Sequence, residues 1–248
     1  MLKFIPNAIT LANLLCGCVA IIYVLNGEVS VAFFWVLLGL LFDFMDGMVA
    51  RLLRVTSDLG KELDSLADVV TFGVVPGLVM MQKLDEVFQL QHAKAHSEVT
   101  GLISFETPWM VYIGLLIALA SAYRLAHFNT DTRQTTSFIG LPTPANALMI
   151  MGFALINPET VMAGLTTLLL TPWFWIVLTL LSCFLLNAPL PLFSFKFKTL
   201  HFQENKLQYL FLVVSIVLLA LFKITALPFV ILLYVLVSSL FYKNPLPK

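Results

Sequence analysis

The sequence predicts an all-α polytopic membrane protein with about eight transmembrane helices, and three observations carry that prediction. Of its 248 residues, 60% are hydrophobic and only 11% are charged, too little polar surface for a soluble domain of that length. The apolar residues fall in runs of about 17–25, the length a bilayer core requires of a helix. The basic residues also segregate. With eight crossings, all but Lys83, Lys94 and Lys223 of the 14 lysines and arginines share the side that holds both termini. That bias places this side in the cytoplasm and the chain in the cytoplasmic membrane. Formal net charge is zero, so bulk charge points to no nucleic acid partner.

Taken in order, the first span is expected over about Ile9–Leu25. Its apolar run is too long for a signal peptide and lacks a small-x-small cleavage site before Gly27, so it reads as retained. The second span runs over about Val29–Phe44 and continues as a helix through Leu53. Val55–Asp58 then reads as a turn in which Ser57 or Asp58 caps the next helix. The third span covers about Leu63–Met81, and Gly73 and Gly77 in it give the small-xxx-small spacing of close helix packing.

Lys83–Thr107 reads as an external polar loop, with His92 and His96 a solvated pair rather than metal ligands. The fourth span starts at the interfacial Trp109 and ends near Phe128. A loop over Asn129–Gly140 leads to LPTPANA and a fifth span ending at Ile156. Met162–Leu186 holds the sixth, kinked at Thr171-Pro172-Trp173. A loop over Pro189–Asn205 comes next, in which Lys196 and Lys198, with Lys206 just beyond, suit contact with membrane lipids. Two last spans, about Leu207–Phe222 and Ala226–Tyr242, meet at a tight turn. Cys16, Cys18 and Cys183 all fall in spans and read as packing residues.

Against this apolar background one stretch is chemically distinct. DFMDGMVARLLRVTSDLGKELDSLAD, residues 43–68, holds Asp43, Asp46, Asp64 and Asp68. An aspartate at the centre of a membrane helix costs roughly 2.5–3.5 kcal/mol, so four of them require an interfacial position or a neutralising cation. Asp43 and Asp46 are three apart, and Asp64 and Asp68 four apart, so on helices each pair shares one face. A turn between them lets the pairs converge at the cytoplasmic rim. Converging carboxylates are hard oxygen ligands that suit Mg²⁺, Mn²⁺ or Ca²⁺. Two such ions can orient and neutralise a pyrophosphate while an alcohol attacks it. Gly47 and Gly60 flank the pairs and permit close approach of a bulky ligand, Ala50 keeps the same face open, and Arg51 reaches toward a phosphate or toward headgroups.

The spacing D-x2-D-G-x2-A-R-x8-G-x3-D-x3-D is met at Asp43, Asp46, Gly47, Ala50, Arg51, Gly60, Asp64 and Asp68. In this the chain resembles the CDP-alcohol phosphotransferase family, integral membrane enzymes of phospholipid synthesis. The resemblance implies that family's helical bundle, with two divalent metal ions, Mg²⁺ or Mn²⁺, held by the four aspartates. It also implies that Asp68 is the general base, that Gly47, Ala50, Arg51 and Gly60 surround the CDP group, and that the protein is a homodimer. PNAITLANLLCG (6–17), DSLADVVTFGVVPG (64–77), AYRLAHFN (122–129) and FIGLPTPA (138–145) are similar to the branch that uses CDP-diacylglycerol as donor and L-serine as acceptor. His127 departs from that branch, whose segment reads RLARFN; Arg124 matches it.

The resemblance covers roughly the first 150 residues. The catalytic core is accordingly expected over about 1–190 of a single membrane domain, with two extra spans over about 207–242. Outside the motif, Arg124 has two readings: a positive-inside anchor, or a partner for the acceptor's carboxylate or a substrate phosphate. Asn7 and Thr10, one turn apart on the first span, either line the nucleotide pocket or bond between helices. The same chemistry with glycerol 3-phosphate or inositol is the alternative within the family. An ion transporter is the alternative outside it, disfavoured because the acids are confined to one face of the membrane.

Overall fold

The computed structural model describes residues 4–55, 57–92, 108–130, 138–192 and 206–241. The helices are α1 (Phe4–Leu25), α2 (Val29–Leu52), α3 (Asp58–Asp68), α4 (Val75–His92), α5 (Leu116–Thr130), α6 (Thr143–Ala154), α7 (Ala163–Leu169), α8 (Pro172–Asn187), α9 (Lys206–Phe222) and α10 (Leu227–Phe241). A π-helical turn, Val69–Val74, joins α3 to α4, and a 3₁₀ segment, Trp109–Leu115, leads into α5. The protein is all-helical apart from one two-residue antiparallel pairing of β1 (Phe138–Ile139) with β2 (Pro191–Leu192). That pairing falls where the sequence reads only as loop.

Every one of the eight apolar segments is helical. Five helical runs among the described residues are long and apolar enough to cross a membrane, or six when α7 and α8, bent by 74°, count as one span. Two features account for the difference from eight. At 12 residues α6 falls short of a bilayer's thickness, and it is sheathed by other helices. The run Gln208–Leu240 counts once by length, yet it folds back on itself: Lys223 takes a φ of 53° and the rings of Phe211 and Tyr234 lie 5.7 Å apart. The bend between α7 and α8 is pinned by Trp175, whose indole N–H donates to the Leu169 carbonyl at 2.8 Å. This satisfies a backbone group that the break has freed.

The third span is longer than its apolar stretch. From Asp58 to Leu90 the helical run has 33 residues, about 50 Å at 1.5 Å per residue. The external loop expected from Lys83 is therefore corrected, because α4 continues to His92. Leu84 and Val87 stay buried at helical spacing. Lys83 pairs with Glu86 at 2.7 Å, and Gln89 donates to Asp85 at 2.8 Å. Those i,i+3 and i,i+4 pairs support a helix that apolar counting alone ends too soon. α1 likewise begins at Phe4 rather than Ile9, with Pro6 in its first turn, where a missing N–H costs nothing. His96, Arg133, Lys196 and Lys198 lie outside the described residues.

Small residues let this bundle close. A Cβ on Gly73 would stand 3.0 Å from Ser121 Cβ, and one on Gly77 3.3 Å from the Gly114 carbonyl oxygen. The small-xxx-small pair is thus a packing device, as its spacing predicts. On the far side α10 packs against α6, and the Phe153 ring meets those of Phe174 and Phe229 at 5.4 and 5.5 Å. All three cysteines are free.

The tightest of these contacts makes a prediction. A Cβ on Gly114 would stand 2.6 Å from the Met81 backbone nitrogen, so neither side yields by rotating a side chain. Gly114→Ala should lower stability by about 1–3 kcal/mol. An earlier midpoint for detergent-solubilised protein in thermal unfolding is the expected result; an unchanged midpoint would mean that the two backbones do not meet.

Candidate active site

Helices α1, α2 and α3 meet at one end of the bundle, and the aspartates meet there with them. Three residues on three turns of two helices supply the centre. One carboxylate oxygen from each of Asp43, Asp64 and Asp68 lies within 4.8 Å of the other two. The i,i+3 and i,i+4 spacings give each pair a common face, and α2 and α3 both pack against α1. Among the described residues no basic side chain forms an ion pair with any of the three. Asp64 Oδ1 is buried without a hydrogen-bond partner. Three carboxylates at that separation, Asp68 buried and Asp43 and Asp64 half-buried, repel one another, and a positive charge among them offsets that repulsion. A divalent cation with oxygen preference fits this donor set.

Asp46 occupies a different place. It is buried, stands outside the three-carboxylate group, and lies on the wall of the adjoining cleft. Its Oδ2 accepts a hydrogen bond of 2.6 Å from the Thr10 hydroxyl. Thr10 thus forms an interhelical bond and lines the cleft at once.

The cleft has a volume of about 730 Å³, within the usual range for a small-molecule site. Asn7, Thr10, Asp46, Gly47, Ala50, Arg51, Gly60 and Asp64 all line it. The spacing and the first helix single out all of these, while Asp43 and Asp68, the other two residues of the motif, lie in the three-carboxylate group and not on the cleft wall. Gly47 is open, its nearest neighbour being Arg51 Nη2 at 3.9 Å from a Cβ position, whereas a Cβ on Gly60 would crowd Asn7 Oδ1 and Ser57 Oγ at 3.1 Å each. The first glycine leaves room for a ligand; the second lets α1 and the α3 cap close on one another.

An acidic metal-type cluster beside a glycine-walled cleft is the arrangement that the comparison with known families addresses. Residues 3–181 match the model of the CDP-alcohol phosphatidyltransferase family. The chain belongs to that family. It is 34% identical over 169 residues to a CDP-diacylglycerol–serine O-phosphatidyltransferase of Bacillus subtilis, covering 66% of this chain and 82% of the relative. It is 35% identical over 152 residues to the enzyme of that name from Helicobacter pylori strain J99, and 34% over 162 residues to that of Saccharomyces cerevisiae. Those alignments cover 60% and 59% of this chain but only 56% and 51% of the relatives, so the chain spans about half their length.

Within this transferase frame, further residues that sequence reasoning passed over take positions at the site. Pro6, Val55, Ser57, Asp58 and Lys61 also line the cleft. Lys61 reads from sequence only as one more positive-inside residue, and no spacing rule separates it from Arg54. In the fold its Nζ donates to the Asn129 carbonyl at 2.9 Å, while Asn129 Nδ2 donates to Ser65 Oγ at 2.9 Å. These bonds tie α3 to the end of α5, the helix that carries Arg124. Arg124 does not line the cleft; it stands near Asp68, close enough to interact electrostatically. Its Nε is buried without a hydrogen-bond partner.

The cap of α3 holds this assembly at its entry. The Ser57 hydroxyl accepts from the Gly60 amide at 3.1 Å, as the turn chemistry predicts. Ser57→Ala should destabilise α3 by about 1 kcal/mol and speed hydrogen exchange at the Gly60 amide. Exchange as slow as in the parent protein would show that the cap does not hold the first turn.

Proposed function

We propose that the protein transfers the phosphatidyl group of CDP-diacylglycerol to L-serine, giving phosphatidylserine and CMP. The observation that carries this reading is the convergence of Asp43, Asp64 and Asp68 beside the glycine-walled cleft, in a chain of a family that acts on CDP-alcohols. Serine as the acceptor is supported by the name shared by relatives at about one-third identity and by Arg124 beside Asp68. A buried, unpartnered guanidinium N–H is a fitting donor for an amino acid's carboxylate.

In this reading the cytidine diphosphate occupies the cleft between Asn7 and Thr10 on one side and Gly47, Ala50 and Gly60 on the other, with Arg51 on a phosphate. Asp43, Asp46, Asp64 and Asp68 together hold two divalent ions, Mg²⁺ or Mn²⁺. When bound, these ions neutralise the pyrophosphate and its developing charge. The Asp68 carboxylate takes the proton from the serine hydroxyl. The serine oxygen forms a bond to the phosphorus that carries diacylglycerol, and the bond from that phosphorus to the bridging oxygen breaks. CMP departs with that oxygen and the electron pair. Arg124 holds the serine carboxylate and so orients the hydroxyl for attack.

The site is taken to lie at the cytoplasmic face of the cytoplasmic membrane, with both termini inside, a reading supported by the distribution of lysine and arginine. The donor's acyl chains then stay in the bilayer while a water-soluble acceptor arrives from the cytoplasm. We take the chain as one membrane domain, its catalytic core about residues 1–190 with α9 and α10 appended, that works as a homodimer.

Two measurements test the reading. Purified protein with Mg²⁺ or Mn²⁺ should release CMP from CDP-diacylglycerol with L-serine and not with glycerol 3-phosphate or inositol. CMP release with one of those acceptors and none with serine would keep the chemistry and overturn the acceptor. Asp68→Asn should lower transfer by about 10²-fold or more and leave CDP-diacylglycerol binding within a few-fold of the parent protein. Undiminished transfer by this variant would remove Asp68 as the base.

A further inference from the structure

Asn13 lies on α1 with no solvent exposure, one turn inside Thr10. Its side-chain Nδ2 donates to Asp68 Oδ1 at 3.2 Å. Its Oδ1 is buried without a partner. The contrast is informative, since a buried acceptor left unpaired is a cost that folds avoid. With the amide turned the other way, its oxygen would face the carboxylate and repel it. The direction of the amide is therefore set by Asp68 and not by the needs of Asn13.

The surroundings hold this arrangement in place. Thr71, inside the π-helical turn that begins one residue after Asp68, donates its hydroxyl to the Asn13 carbonyl at 3.1 Å. Gly39 on α2 closes the other side: a Cβ there would stand 2.9 Å from Asn13 Oδ1 and 2.8 Å from Thr71 Cγ2. No larger residue at position 39 leaves Asn13 where it is. A π turn inside a helix shifts the phase of the turns beyond it and is a frequent companion of functional sites. Asp68 and Thr71, three apart and so on one helical face, both reach the same residue of α1, one on its side chain and one on its backbone.

We propose that Asn13 is a positioning residue for Asp68. Its amide N–H fixes the rotation of the Asp68 carboxylate, so that the lone pair meant for the acceptor hydroxyl is aimed before substrate arrives. The inference rests on the reading of Asp68 as the general base. It also goes beyond it, because neither the D-x2-D-G pattern nor the cleft includes Asn13. The plain alternative is that Asn13 is interhelical glue, one of the polar side chains that hold membrane helices together.

Two substitutions of similar size separate these roles. Asn13→Leu removes the donor; Asn13→Asp keeps the shape and replaces the donor with an acceptor facing a carboxylate. For CMP release from CDP-diacylglycerol and L-serine, Asn13→Leu should lower kcat about 10- to 100-fold, the usual effect of losing an outer-shell partner of a catalytic carboxylate. Asn13→Asp should lower it at least as far. KM for both substrates, and the binding affinity for CDP-diacylglycerol, should stay within about threefold, the pattern of an interaction felt mainly in the transition state. Asn13→Asp with the parent kcat would show that shape alone matters and overturn the proposal. So would a loss carried by KM, or a fall in donor affinity that matches the fall in kcat in both variants. Asp68→Asn measured alongside separates the layers. If it is inactive while Asn13→Leu keeps the parent kcat, only the positioning role fails; if it is active, the base assignment fails and the proposal with it.

Discussion

Three carboxylates held within 4.8 Å of one another, at the end of an otherwise apolar bundle, are the constraint on which the rest of the structure depends. Like charges so close do not gather without cause. The fold spends much of its local detail on keeping them there. α2 supplies Asp43, and α3, returned by a short turn and capped by Ser57, supplies Asp64 and Asp68. α1 runs behind both and touches the acids twice, through Thr10 to Asp46 and through Asn13 to Asp68. The close contacts of Gly73 and Gly77 with the 3₁₀–α5 segment hold the far side of the third span in register. That segment in turn carries Arg124 to the neighbourhood of Asp68.

Much of this was legible in the sequence, for a definite physical reason. Helical spacing is a projection rule, so Asp43 with Asp46 and Asp64 with Asp68 had to face one way each, and a turn after Arg54 had to bring the faces together. The same rule put Gly47, Ala50 and Arg51 along one wall, and all three line the cleft. The kink before Trp173 and the close packing at Gly73 and Gly77 followed from residue chemistry alone. The features that stayed hidden depend on phase or on distant partners. Nothing in VVTFGV announces a π turn, and although Asp68 and Thr71 share a helical face by their spacing, no local pattern says that both meet Asn13. Lys61 reaches the cleft edge through a bond to a carbonyl 68 residues away, which no local pattern encodes. The extra length of α4 has another origin: apolar counting stops at Lys83, while the polar pairs Lys83–Glu86 and Asp85–Gln89 carry the helix on.

The placement of the aspartates is also less even than spacing alone implied. Four equivalent acids become a compact group of three and one, Asp46, bonded to α1 at the cleft wall. A donor with a pyrophosphate between a nucleotide and a lipid has two ends of opposite character. On the proposed reading the cleft takes the nucleotide end and the acyl chains stay in the bilayer. The reacting phosphorus, on the same reading, lies between them, beside the three-carboxylate group. On that reading one short stretch of chain would serve donor, metal and acceptor together.

The central claim is that Asp43, Asp64 and Asp68 gather because they share divalent ions at the reacting phosphate. The most direct test is manganese anomalous diffraction from crystals of the protein grown with Mn²⁺ and CDP-diacylglycerol. Anomalous peaks within coordination distance of oxygens from all three carboxylates and of the donor's pyrophosphate are the predicted result. Ordered donor in the cleft with no manganese at these three residues would contradict the account.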